Sequence, residues 1–169
     1  FHEADVRDWA LAERIVGEVA TAFGRLDVLV CSAGVTDDSL SWKMSEAQWD
    51  RVLDVNLKGT WMTARACAER MLAAGRPGRI VNVASQAGKR GFPMLGAYCV
   101  ANAGVVLLTQ VLAQELGPSG ITVNAVCPGT VDTDLLNKDG AFERMVGLLE
   151  GGNGGIERWV AREIPLRRL

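Results

Sequence analysis

Histidine is almost missing: the 169-residue chain holds one, His2, and its four cysteines, Cys31, Cys67, Cys99 and Cys127, lie far apart with no CxxC and no Cys/His spacing. Neither a zinc site of ordinary ligand spacing nor a disulfide framework fits that pattern. Reduced, mostly buried thiols in a cytoplasmic protein are the expectation. An excess of charge of one sign is missing too. Lys+Arg 18 against Asp+Glu 20 gives a formal net charge of -2, and no basic stripe with interleaved aromatics offers a face to nucleic acid. No apolar run approaches the roughly 20 residues of a membrane span, and no basic-then-apolar signal opens the chain. No internal repeat occurs.

What is present is a composition of 49% hydrophobic and 22% charged residues, enough apolar surface for one globular domain over 1–169 to bury a sizeable core. Three short runs rich in branched residues stand out: "LDVLVCSAG" (Leu26 to Gly34), "GRIVNVAS" (Gly78 to Ser85) and "GITVNAVCPG" (Gly120 to Gly129). Near-continuous hydrophobicity over so few residues predicts strands buried on both faces, as in a parallel sheet.

Helical patterns separate them. Asp8 to Phe23 carries Leu11, Ile15 and Val19 at intervals of four, and Ser45 to Ala73 opens with "SEAQ", a capping box of Ser45 and Gln48. Leu95 to Leu116 spaces Val105, Leu108, Leu112 and Leu116 along one helical face before "GPSG". Strand and helix in alternation predict an α/β doubly wound sheet. "FHEADV" reads as the end of a further strand. The segment from Thr130 to Leu169 holds short apolar clusters, and "GGNGG" at Gly151 to Gly155 reads as a flexible loop, since no strand precedes it and no lysine-bearing helix follows.

In open parallel sheets ligands bind beyond the carboxyl ends of the strands. Those ends are small or polar here: Ser32, Ala33 and Gly34; Ala84, Ser85 and Gln86; Pro128, Gly129 and Thr130. In "GAYCVANAG", Tyr98 and Asn102 stand four apart, so on a helix the phenol and the amide share a face. Asn56, in "DVNLKG", sits inside an amphipathic helix, where asparagine is disfavoured unless it bonds something specific. Each has a bland alternative: Ser85 as a strand-end turn residue, Asn56 as a local helix perturbation, Tyr98 and Asn102 as a pair satisfying each other or nearby backbone.

Taken together in this order, the motifs strongly resemble the short-chain dehydrogenase/reductase family. "EADV" is similar to the strand end that places Asp5 and Val6 by the adenine, and "CSAG" stands for the family's NNAG, with Ala33 and Gly34 against the cofactor. "DVNLKG" resembles the catalytic-asparagine motif, "GRIVNVAS" the strand carrying the serine, "GAYCVANAG" the YxxxK helix, and "CPGTVDTDL" the PG motif. The resemblance implies a Rossmann-like fold and hydride transfer between NAD or NADP and an alcohol or ketone. It implies Tyr98 as general acid/base, Ser85 holding the substrate oxygen, and Asn56 supporting a water relay. Asn102 stands in the place of the family's lysine, and Pro128, Gly129, Val131 and Thr133 lie along the nicotinamide.

Two departures accompany it. The family's TGxxxGxG turn, which holds the pyrophosphate, occurs nowhere in the chain, so the expectation is an incomplete domain lacking the first two strands, with the residue that selects NAD or NADP upstream of Phe1. The strands near Leu29, Val81 and Val123 should then lie side by side and parallel, with "FHEADV" apart from them and the apolar face of Leu29 and Val30 exposed at an open edge. The second departure is Asn102, a neutral amide where the family places a cation. A phenol ionises near pH 10, and a cation within a few ångströms brings that down by about one to three pH units; an amide cannot. The alternative function is therefore a non-catalytic relative serving as dinucleotide sensor or assembly partner, or an inactive piece. Substrates from polyols and sugars to 3-oxoacyl groups suit the resemblance, with Lys89, Arg90, Phe92 and the segment Leu135 to Pro165 facing them. The family also implies a homodimer or homotetramer through Ser45 to Ala73 and Leu95 to Leu116, with Trp61, Met62, Met71, Val106 and Val111 as surplus apolar surface.

Overall fold

The computed structural model describes residues 2–133, 140–151 and 155–166. Three parallel strands, β1 (Val28–Cys31), β2 (Gly78–Val83) and β3 (Ile121–Val126), lie side by side in the order β1-β2-β3. The register puts Leu29 beside Ile80 and Ile80 beside Val123, so these three share one face. That face carries the core. Ala64, Ala68 and Met71 pack on it from α3 (Gly59–Ala74) and Leu116 from α4 (Gly96–Leu116), while Val16 of α1 (Trp9–Phe23) closes over Leu29 with Ala66 and Cys67. The result is a Rossmann-like α/β fold.

The opposite face corrects the expectation of strands buried on both sides. Val28 and Val30 are each 57% exposed and Val126 is 50% exposed; β1 is an edge strand, and of the two residues expected at that open edge Val30 is exposed while Leu29 packs against the core. Period-2 alternation decides this, because adjacent residues on a strand point to opposite faces. "FHEADV" lies apart from the three strands, as expected, but is not a strand end. Residues 2–5 pair with no strand and Val6–Arg7 form a turn, with Val6 seated against Gly59, where a Cβ would come within 2.7 Å of its Cγ2.

The helix starts follow the caps. Asp8 accepts from Leu11 N–H at 3.0 Å, and the capping box of Ser45 and Gln48 is complete at the start of α2 (Glu46–Leu53). The predicted continuous helix from Ser45 to Ala73 is interrupted by one widened π turn, Asp54–Lys58, in which Gly59 N–H reaches back five residues to the Asp54 carbonyl. After β3, two short amphipathic helices replace the expected irregular segment: α5 (Ala141–Glu150) and α6 (Gly155–Glu163). Gly151 ends α5 at φ 70°, and the middle of the glycine run, 152–154, lies outside the described residues, as do 135–139.

One helix, Gly96–Ser119, is long and apolar enough to cross a membrane by length and composition, with mean hydropathy 1.6; alanines, glycines and amides interleaved with valine and leucine conceal this from a search for unbroken apolar runs. It packs through Leu116, Leu112 and Ala113 on the sheet core. Cys31 and Cys67 are buried, Cys99 and Cys127 half-buried, and all four are free.

Candidate active site

The carboxyl ends of all three strands open into one cavity of about 420 Å³. Ala33 and Gly34 enter it beyond β1, Ser85 beyond β2, and Pro128, Gly129, Val131 and Thr133 beyond β3; Tyr98 and Asn102 come from α4 and Asn56 from the π turn. A second, more open cavity of about 610 Å³ adjoins it, lined by Asp5 and Val6 and again by Ala33 and Gly34. The two share these small residues as a common wall. The catalytic and cofactor-binding candidates read from the sequence therefore line one or other of two adjoining cavities. Lys89 and Arg90 line neither chamber among the described residues; Phe92 does.

Local structure explains the positions. Ser85, extended at φ -154° and ψ 157°, caps a single 3-10 turn, Gln86–Gly88, its Oγ accepting from Ala87 N–H at 3.1 Å. Gly88 then presses on α4: a Cβ there would stand 2.7 Å from the Asn102 carbonyl carbon, so only glycine lets the serine turn lie this close to the tyrosine helix. Lower on α4, buried Asn82 of β2 donates to Thr109 Oγ1 at 3.0 Å, pinning helix to strand. At the top, Met94 takes a left-handed φ of 67°, and its carbonyl accepts from Ser39 N–H at 3.0 Å. A non-glycine residue held there is strained, and it joins the loop after β1 to the entry of α4.

The polar side chains are more committed than the sequence suggests. Asn56, 5% exposed, accepts from Val35 N–H at 2.9 Å and donates to the Val35 carbonyl at 3.0 Å. Its amide clamps the loop after β1 and does not point freely into the cavity. Asn102, 4% exposed, donates one amide proton to the Tyr98 carbonyl at 2.9 Å, which leaves its other proton and its oxygen for a ligand. In the second chamber the Arg7 guanidinium chelates Asp5, with Nη2 at 2.6 Å and Nε at 3.0 Å, and holds its carboxyl down at about 2.

A wall of the first chamber was not foreseen residue by residue. Phe142 and Met145 of α5 and Trp159 of α6 line it with Phe92 and Leu95; the Phe142 and Trp159 rings meet edge to face at 5.2 Å. Arg90 ties this wall to the serine loop, bonding Glu163 at 2.6 Å and lying 4.6 Å over the Phe92 ring. Phe142, Met145 and Val146 recur at helical spacing, which is the signal that marks α5 in the sequence.

A cavity at the carboxyl ends of parallel strands, with a tyrosine, a serine and two amides and a second cavity beside it, marks an α/β domain with a ligand-sized cleft where open parallel sheets bind their ligands. The chain belongs to the short chain dehydrogenase family, whose model matches residues 1–144. It is 36% identical over 165 residues to a sorbitol dehydrogenase of Cereibacter sphaeroides, covering 98% of this chain and 64% of that protein. Among solved structures, a carveol dehydrogenase from Mycobacterium avium in complex with NAD matches at TM-score 0.82 and 34% identity, over 93% of this chain and 57% of the other. A structure of ElxO with NADP bound matches at TM-score 0.78 and 31% identity, over 85% of this chain and 58% of that one. This chain thus spans less than two thirds of the length of these proteins. The cofactor of the family site is NAD or NADP.

Proposed function

We propose that the protein is an NAD- or NADP-dependent oxidoreductase that interconverts an alcohol and a ketone. The observation that carries the reading is a pair of adjoining cavities: Ser85, Tyr98 and Asn102 line one, Asp5 and Val6 the other, and small Ala33 and Gly34 line both. Small side chains let a flat ligand lie against backbone. The nicotinamide arm of the cofactor fits against Pro128, Gly129, Val131 and Thr133, and the adenine arm against Asp5 and Val6. When bound, the cofactor supplies or accepts the hydride.

The chain's own groups handle the oxygen. Ser85 Oγ hydrogen-bonds the substrate oxygen, and the Tyr98 hydroxyl gives that oxygen a proton in reduction or takes one in oxidation. Asn102 bonds a cofactor ribose hydroxyl or a relay water through the half of its amide not held by Tyr98. Val35 holds one proton and one lone pair of the Asn56 amide, so Asn56 joins a proton relay through its second Nδ2 proton or second Oδ1 lone pair.

A second reading, a dinucleotide sensor or assembly partner without catalysis, is favoured by one observation: a neutral amide, Asn102, stands one helical turn from Tyr98. Assembly in either case uses the exposed faces of α3 and α4. Trp61 is 40% and Val111 44% exposed, whereas Met62 and Met71, named from the sequence for this face, are buried in the chain's own core and Val106 is half-buried. We place the reaction in the cytoplasm, where four free thiols stay reduced. The test is reduced-nicotinamide absorbance with the full-length protein, wild type against Tyr98→Phe, with cofactor affinity measured in parallel. Catalysis predicts a rate loss of about 10² to 10⁴ at unchanged cofactor affinity. A wild type that binds cofactor and turns over no alcohol or ketone at any pH supports the sensor.

A further inference from the structure

We infer that Arg7 is a positioning residue for the second cavity: it locks the Asp5 carboxylate with one acceptor site open, and that site selects a purine bearing an exocyclic amino group over one bearing a carbonyl. This rests on the reading that seats the adenine arm of the cofactor against Asp5 and Val6. Residues 5–8 form a closed turn, in which Asp8 N–H donates to the Asp5 carbonyl at 3.0 Å. Asp8 goes on to cap α1, and Val6 is wedged against Gly59, so the turn is anchored on both sides. Within it, one residue supplies three N–H donors to the Asp5 carboxylate. The Arg7 main-chain N–H reaches Oδ1 at 2.9 Å, Nη2 reaches Oδ2 at 2.6 Å, and Nε lies 3.0 Å from each oxygen.

A carboxylate offers about four lone-pair sites, and the three hydrogens of Arg7 leave one of them open. The guanidinium also balances the charge, so a neutral base can cover Asp5 without stranding a lone anion. Asp54 attracts the same guanidinium and opens the π turn whose Val55 lines this cavity. Glu3, Asp5, Arg7 and Arg51 are the charged residues that line it among the described ones, Arg51 pairing with Asp37 at 3.1 Å; the rest of the lining is aliphatic or glycine. Aliphatic walls take the face of a flat base, and its polar edge turns to Asp5. An amino group there donates to the open site, whereas a carbonyl sets oxygen against carboxylate and leaves both without a hydrogen. Without the Arg7 fork the carboxylate turns freely about its side-chain bonds, and the preference weakens although the carboxylate is still present.

Arg7 and Asp5 are 52% and 49% exposed, and an exposed pair contributes little to stability, so substitutions at either should leave the fold in place. AMP, IMP and nicotinamide mononucleotide are titrated calorimetrically into the full-length protein, wild type, Arg7→Gln, Arg7→Lys, Asp5→Asn and Glu3→Gln, with circular dichroism as the folding check. Wild type is expected to bind AMP roughly tenfold or more tighter than IMP. Arg7→Gln should cut that ratio about threefold or more, and Arg7→Lys should do the same, since an ammonium keeps the charge but loses the fork. Asp5→Asn should bring the ratio to about one or below, because an amide proton then faces the base. Glu3→Gln should keep the wild-type ratio, and nicotinamide mononucleotide, which carries no purine, should bind every form alike. The proposal is overturned if wild type binds AMP and IMP equally or binds neither, or if the folded Arg7 variants keep the wild-type ratio. It is overturned as well if they weaken all three ligands equally, as a general loosening would, or if Glu3→Gln removes the preference. Should one Arg7 variant unfold, the other decides. Failure of the oxidoreductase reading looks different: AMP is preferred and the preference falls with Arg7, yet neither NAD nor NADP is reduced.

Discussion

Asn56 holds Val35 by both ends of its amide, accepting from the main-chain N–H at 2.9 Å and donating to the carbonyl at 3.0 Å. One side chain thus stands in for a missing strand partner just where the chain leaves β1. The π turn goes with this contact: the extra residue in the turn rotates Asn56 inward, toward the loop it must reach. Removing the amide strands a donor and an acceptor in a half-buried loop. Asn56→Ala is expected to cost about 2 to 4 kcal/mol, read as a lower urea midpoint. Asn56→Asp should recover only part, because a carboxylate accepts from the N–H and repels the carbonyl.

Gly88 and Asn102 set the distance between the serine and tyrosine elements. Gly88→Ala would place a Cβ 2.7 Å from the Asn102 carbonyl carbon and 2.9 Å from Ala103 N. Since both are helix backbone, the turn must move away, costing about 1 to 3 kcal/mol and separating Ser85 from Tyr98. Turnover should fall more than stability does. Gly147→Ala is the control: nothing lies within 4 Å of that Cβ inside α5, and the replacement should stabilise by roughly 0.5 to 1 kcal/mol in thermal melts.

Burial pushes the Cys31 thiol up to about 12, with Cys67 nearby adding to it, and burial alone pushes Cys67 up to about 11. Neither forms thiolate in the native state at mildly alkaline pH, so aromatic disulfide reagents should label Cys99 and Cys127 first and reach Cys31 and Cys67 only on unfolding. The linkage has a definite sign. The folded protein keeps protons that the unfolded chain releases above pH 9, so this stability is complete below about pH 9 and is lost as pH rises toward 12, at about 1.4 kcal/mol per pH unit for each thiol. Urea midpoints that stay level from pH 9 to 11 would refute it.

The strands, the cap at Ser45 and the gathering of Ser85, Tyr98 and Asn102 were legible because each rests on local chemistry: branched runs, a side-chain acceptor before a helix, residues four apart. What the sequence hid depends on partners far along the chain. An apolar run has the same letters whether one face or both is covered, so the exposure of Val28 could not be read, and that of Val30 was expected only from the family resemblance. "FHEADV" has strand-like residues, but a strand exists only with a neighbour to pair. A π turn adds one residue to a helix whose periodicity spans the insertion without visible break. The wall of Phe142, Met145 and Trp159 is assembled by the packing of α5 on α6, across glycines that read as a loop.

Asn102 is where the chain departs most from what its tyrosine needs. A phenol becomes a base near neutral pH when a positive charge stands beside it, and here the residue one turn on is an amide whose Nδ2 is turned to the Tyr98 carbonyl at 2.9 Å. Hydrogen bonding to a ribose hydroxyl can survive this arrangement; electrostatic support of a phenolate cannot. Alcohol oxidation by the full-length protein should therefore be weak near neutrality and rise with pH. Asn102→Lys restores a cation on the same face of α4, extending into the cavity that Asn102 already lines. A cation lowers a neighbouring acid by about one to three pH units, so the variant should gain roughly tenfold or more in oxidation rate near pH 7 and little at pH 10, flattening the profile. The comparison stops near pH 10 because the buried thiols erode the fold progressively above about pH 9, and cofactor affinity is measured at each point to separate binding from proton transfer. A lysine variant that binds cofactor and gains nothing at pH 7 would show that Tyr98 is not the base, leaving the sensor as the better account of this site.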